Sequence, residues 1–232
     1  MKKIAKNIIF TLISILIILY VVFRIYAADY YRAFDGVESD YINDTQVEII
    51  GDYSYMYPTQ ENGVVLVFYP GGKVEHFAYY PMLKELTKRG YTIALVEMPY
   101  NLAFLGQDKA SEAIETLVGY DRYYIVGHSL GGAMASVYAE KNTDKIDGLI
   151  VLGAYVYGEY PIKDSLTIYG TFNSNLEKNI EYDENIVIIE GGNHAQFGNY
   201  GPQKGDPDAT ITAIEQQRIT IEAIEEFIKG NE

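Results

Sequence analysis

The chain has 232 residues, 48% of them apolar and 22% charged, enough for one medium packed domain and an appendage. It has no cysteine, which excludes structural disulfides, thiolate-bound zinc and a cysteine nucleophile. The segment 1–28 carries Lys2, Lys3, Lys6 and Arg24 and no acid; the rest holds 14 basic against 32 acidic side chains, a balance of −18 that repels phosphate backbones and speaks against a nucleic-acid partner.

From Asn7 to Phe23 the chain is uncharged and dense in Ile, Leu, Val and Phe. With Arg24 snorkelling, the apolar stretch runs from Ile8 to Ala28, about 31 Å of helix at ~1.5 Å per residue, which spans a bilayer core. A cleaved signal peptide has the same outline. Cutting after Ala28 or Ala27, however, puts Tyr26 or Ile25 where a small residue is needed, so residues 1–28 read as an uncleaved membrane anchor. Three lysines ahead of the stretch against one arginine behind it place the N-terminus in the cytoplasm and the domain outside, with secretion after cleavage as the alternative.

Residues 29–44 are polar and Tyr-rich, show no convincing period, and read as a linker into a domain over 45–232. Val47 to Ile50 and Tyr53 to Tyr57 are expected as two short strands across the Gly51-Asp52 turn, and Val64 to Tyr69 as a fully buried strand ended by Pro70-Gly71-Gly72. Tyr79, Met82, Leu83 and Leu86 make a helical stripe stopped by Gly90. Strands then follow at Thr92 to Val96, Tyr123 to Val126, Gly148 to Leu152, Leu166 to Tyr169 and Ile186 to Ile189. Helices are expected around Ala110 to Leu117, over Leu130 to Glu140, and at the C-terminus, where Ile211, Ile214, Ile221, Ile224 and Ile228 line one face. This alternation predicts an α/β fold with a mostly parallel central sheet and helices on both faces.

Gly127-His128-Ser129-Leu130-Gly131 fits G-x-S-x-G and lies where a buried strand gives way to the small-residue helix start Gly132-Ala133-Met134-Ala135. That strand-turn-helix context is what a nucleophile elbow requires, with Ser129 as nucleophile. A serine hydroxyl needs a base, and the chain offers three histidines. His128 adjoins the serine on a sharp turn and is expected to pack or bond locally, and His76 belongs near a helix start at the rim. His194, beyond the last strand in Glu190-Gly191-Gly192-Asn193-His194, fits the chain order serine, acid, histidine. The backbone N–H of Leu130 is the expected first oxyanion donor and that of Gly72 the second, with Lys73 as a neighbouring candidate.

The blocks Pro70-Gly71-Gly72-Lys73-Val74-Glu75, Met98-Pro99-Tyr100-Asn101-Leu102-Ala103, the elbow, and the run from Gly191 to Gly201 together resemble the bacterial α/β-hydrolase group related to dienelactone hydrolases. The resemblance covers about Val47 to the C-terminus. It implies an α/β-hydrolase fold, hydrolysis of carboxylic esters, and catalytic roles for Ser129 and His194. The departure is at the acid, because the family's aspartate after the strand Leu166 to Gly170 falls here on Asn173. An asparagine orients an imidazole without charge to stabilise imidazolium. Glu177, Glu159 and Asp164 are the alternative acids, and a degenerate hydrolase serving as a membrane-displayed binding or scaffolding protein is the alternative function.

No H-E-x-x-H, Cys/His pairing or carboxylate cluster suggests a metal, and no cofactor is expected. About a dozen residues join the strands ending at Leu152 and starting at Leu166, too few for more than a minimal lid. The expected partners are therefore a small ester-like molecule and, through the N-terminal helix, a lipid bilayer; the sequence names no protein partner.

Overall fold

The computed structural model describes residues 2–231 and divides into two compact units, Met1–Tyr30 and Tyr31–Glu232. The first is the helix α1 (Lys2–Ala28). Its segment Lys3–Ala28 has a mean hydropathy of 2.8 and is long and apolar enough to cross a membrane. Phe10, Leu16, Ile18 and Ile25 are among its many exposed apolar side chains.

The second unit is built on one eight-stranded sheet in the order β1-β2-β4-β3-β5-β6-β7-β8. β1 (Val47–Ile50) and β2 (Tyr53–Met56) form an antiparallel hairpin on the edge, and β2 pairs antiparallel with β4 (Thr92–Val96). All other pairings, among β4, β3 (Val64–Tyr69), β5 (Arg122–His128), β6 (Gly148–Leu152), β7 (Ser165–Gly170) and β8 (Ile186–Ile189), are parallel. β3 shows why its apolar run is continuous. Val64, Leu66 and Phe68 point into one core with α3 (Tyr80–Lys88) and α7 (Ala213–Gly230), while Val65, Val67 and Tyr69 point into the other with α4 (Ala110–Thr116) and α5 (Leu130–Lys141). A central parallel strand has no solvent face, and each such buried side chain contributes roughly 1.5–3 kcal/mol.

Residues 29–44 differ from the linker expected. Tyr31 donates its N–H to Lys73 O at 2.7 Å, Phe34 donates to Asn199 O at 2.9 Å, and Val37–Asn43 form α2. Only Val37 and Tyr41 are buried there, an i, i+4 pair too short to show a period. The segment is seated instead by Asp44, whose carboxylate takes the Tyr80 hydroxyl at 2.8 Å and the Lys84 ammonium at 2.5 Å, partners remote in sequence.

α7 starts at Ala213, two residues after the first isoleucine of its stripe, Ile211. Thr212 caps it by accepting the Glu215 N–H at 3.2 Å, and Ile214 in the first turn is 80% exposed, while Ile221, Ile224 and Ile228 are buried. Between β6 and β7 the connection forms nothing longer than a single 3₁₀ turn at Ile162–Asp164, so the carboxyl ends of the strands stay uncapped on that side.

Candidate active site

β5 and α5 meet at Ser129, whose φ of 53° and ψ of −121° lie where side chains are rarely tolerated. Such a conformation costs about 1–3 kcal/mol and persists only where its surroundings impose it. Here the Ser129 N–H is held by Leu152 O at 2.9 Å and its carbonyl by the Ala133 N–H at 3.0 Å. The flanking glycines leave no choice: a Cβ on Gly131 would lie 2.2 Å from Tyr69 O, and one on Gly127 would lie 2.4 Å from Gly131 O. The bend thus lifts the hydroxyl clear of the sheet at the start of α5, whose dipole favours negative charge there.

His194 arrives from the loop after β8. α7 fixes that loop through Gln216, fully buried, which accepts the Asn193 N–H at 3.0 Å and donates to Asn193 O at 2.8 Å. The imidazole Nε2 lies 2.9 Å from Ser129 Oγ, and Nδ1 lies 3.0 Å from the Asn173 side-chain amide, which stands one residue before α6 (Ser174–Glu177). Burial lowers the His194 pKa below the ordinary 6.5, opposed by the charge of Asp206. Which end of the Asn173 amide faces Nδ1 decides the tautomer. With the NH₂ inward the ring proton sits on Nε2 and points at the serine. With Oδ1 inward it sits on Nδ1, leaving the Nε2 lone pair free to accept the serine proton, and the two ends occupy the same space.

The glycine loop after β3 approaches the elbow closely. A Cβ on Gly72 would lie 2.9 Å from Leu130 Cδ2, so these two residues face each other. Leu130 opens α5 and its amide has no acceptor one turn back, as at any helix start. Lys73, the neighbouring donor candidate, is set aside: its φ is 58° and its N–H is committed to Asn101 O at 2.7 Å. The Gly71 N–H is likewise committed, to the Tyr79 hydroxyl at 3.0 Å. Of the three candidate donors, Gly72 and Leu130 remain.

Two of the three alternative acids have partners elsewhere. Glu177 accepts from the Tyr169 hydroxyl at 3.3 Å, Asp164 stands with Lys163 at 3.7 Å in the turn ahead of β7, at the end of that strand opposite Asn173, and Glu159 is exposed. His76 packs against Tyr41 and Phe77, and burial drops its pKa to about 4. His128 is fully buried, with Nδ1 2.7 Å from the Tyr79 hydroxyl and Nε2 3.0 Å from His194 O.

Sequence reasoning missed two contributors. Tyr79 reads only as part of a helical stripe, yet its hydroxyl serves both Gly71 and His128. Asp206 lies in a polar loop with no pattern, yet its Oδ1 accepts the His194 N–H at 3.0 Å and its Oδ2 the Ala195 N–H at 2.8 Å. A cavity of about 310 Å³ opens beside His194 and Asp206, lined also by Phe172, Asn173 and Lys204 among others. Among the described residues no group of three or more His, Cys, Asp or Glu is placed to hold a metal ion.

Several solved structures share this architecture. TT1662 from Thermus thermophilus superposes with a TM-score of 0.55 at 13% identity, over 78% of this chain and 97% of that one. A soluble variant of the monoglyceride lipase of Saccharomyces cerevisiae gives 0.53 at 12% identity, over 81% and 94%. A membrane phospholipase A described as a bacterial virulence factor gives 0.54 at 13%, over 100% and 99%. At such identities the likeness speaks for the fold alone. The sequence profile of the Alpha/beta hydrolase family, in contrast, matches residues 65–218, well over half of the chain, and the protein belongs to the alpha/beta hydrolase family.

Proposed function

We propose that this protein is a serine hydrolase of carboxylic esters that works through an acyl-enzyme on Ser129, with His194 as general base. The observation that carries the reading is the 2.9 Å separation between His194 Nε2 and Ser129 Oγ at a backbone bend that only the surrounding structure can hold. Oγ attacks the ester carbonyl carbon as its proton passes to Nε2, and the carbonyl electron pair moves onto oxygen, to which the N–H groups of Leu130 and Gly72 donate hydrogen bonds. Collapse of this intermediate expels the alcohol, which takes the proton from His194. Water then attacks the acyl-enzyme by the same route and releases the acid. Asn173 holds the imidazole upright with Oδ1 on Nδ1.

The blocks from Pro70 to Glu75 and from Gly191 to Gly201 support membership of the dienelactone-hydrolase-related group. Neighbours named as lipase and phospholipase A support an acyl ester as the bond broken. The short β6–β7 connection supports small or exposed acyl groups over long buried ones. Residues 1–28 serve as an uncleaved anchor with the domain outside the cytoplasm. Protease treatment of intact cells should then remove the domain, and removal only after lysis would reverse the orientation.

The test of the chemistry is turnover of p-nitrophenyl acetate and of longer p-nitrophenyl esters. Ser129→Ala and His194→Ala should each lower kcat by about 10³-fold or more with the fold intact. Unchanged slow turnover in all three proteins would instead mark a decayed hydrolase kept for binding or scaffolding.

A further inference from the structure

When His194 takes the Ser129 proton it becomes a cation buried beside a side-chain amide, and Asn173 offers that cation a dipole without net charge. A carboxylate is nevertheless bonded to the same residue through its main chain. Asp206 receives the N–H of His194 on one oxygen and that of Ala195 on the other, so neither oxygen can swing away, and it lines the same cavity as His194 and Asn173.

We infer that Asp206 supplies the negative charge that stabilises the His194 imidazolium while Asn173 only orients the ring. Two tasks that one aspartate performs in a Ser-His-Asp site are divided here between residues on separate loops. Asp206 is a positioning residue in this sense, acting through His194, and the inference rests on the serine-hydrolase reading above.

The surroundings of His194 leave this role to Asp206. The His128 ring, 4.7 Å away between centroids, is held neutral by burial and by bonds to Tyr79 and to the His194 carbonyl, so it brings no charge. Tyr200, whose hydroxyl also feels Asp206, is held protonated by burial. Glu177 is engaged by Tyr169, and Lys204, the other ionised side chain on the cavity, has the wrong sign. Burial alone would push the imidazole further below its ordinary range, and the Asp206 charge is what opposes it.

The test is kcat/KM against pH for a small p-nitrophenyl ester, on the full chain in detergent, for wild type, Asp206→Asn, Asn173→Asp and the double variant. Asp206→Asn keeps one acceptor oxygen and removes the charge. It should lower the plateau about tenfold or more and move the acidic limb down by about one pH unit. Adding Asn173→Asp to that variant should bring the plateau back to within about threefold of wild type. Asn173→Asp alone should raise turnover by less than about tenfold, far below the ~10⁴-fold between aspartate and asparagine in a protease triad.

A folded Asp206→Asn enzyme with wild-type plateau and limb overturns the inference, as does a loss that Asn173→Asp fails to relieve, which would make Asp206 a staple for the loop. Should Asp206→Asn not fold, the single Asn173→Asp enzyme decides: a gain near 10⁴-fold means no charge was in place. Wild-type turnover that does not depend on Ser129 and His194 refutes the hydrolase reading itself, whereas Ser129- and His194-dependent turnover indifferent to Asp206 refutes only this inference.

Discussion

The Tyr79 hydroxyl lies 2.7 Å from Nδ1 of His128 and joins the two halves of the site. It donates to His128 and accepts from the Gly71 N–H, while His128 donates from Nε2 to the carbonyl of His194. The glycine loop that presents Gly72 and the main chain that carries His194 are thereby tied through one buried tyrosine and one buried histidine. Tyr79→Phe removes the bridge at nearly constant volume and leaves the buried Gly71 N–H without its acceptor. Its expected cost is about 1–3 kcal/mol of stability, read as a lower thermal midpoint, together with a fall in kcat larger than any change in KM. A variant as stable and as active as wild type would separate the tie from the chemistry.

Burial lowers the pKa of His194, and this fixes the sense of the pH dependence. The base works in its neutral form, which is present above the folded-state pKa and lost as the pH falls through it. The acidic limb of kcat/KM should therefore have its midpoint below the ordinary 6.5 of an imidazole, with a flat profile through neutrality. A midpoint above that value would contradict the account of the site's burial. The same sign holds for stability: a buried histidine with a depressed pKa stabilises the fold above its unfolded value and loses that contribution as acid charges it.

Gly72 faces Leu130 at a distance no side chain accepts without movement. Gly72→Ala should push the loop away from the elbow and move one oxyanion donor off target. Loss of such a donor costs about 10²–10³-fold in kcat, so a fall of at least tenfold with little change in KM or thermal midpoint is expected. Wild-type kcat in this variant would assign the second donor elsewhere.

The strands and the elbow were legible because each rests on local chemistry, apolar runs such as Val64 to Tyr69 or glycines forced by a bend, whereas His194 was singled out among three histidines by the chain order serine, acid, histidine. The seating of residues 31–44 was not, since Asp44 is held by Tyr80 and Lys84 and no short window contains all three. Asp206 was hidden for a related reason. It binds main-chain amides, and a residue whose partners are N–H groups leaves no trace in the side chains it contacts. His128 was legible as a residue that bonds locally, but its partner Tyr79 comes 49 positions earlier. Ile214 fits the apolar stripe of α7 and yet faces solvent, while Gln216 and Gln217, which no apolar stripe includes, are the buried side chains at that end of the helix.

The pairing of Ser129 with His194 is tested most directly by reacting the full chain with a fluorophosphonate and mapping the adduct by peptide mass spectrometry. The account predicts a single modified residue, Ser129, no labelling of Ser129→Ala, and labelling slowed by about 10³-fold or more in His194→Ala. Labelling of another residue, or of Ser129 at an equal rate without His194, would contradict it.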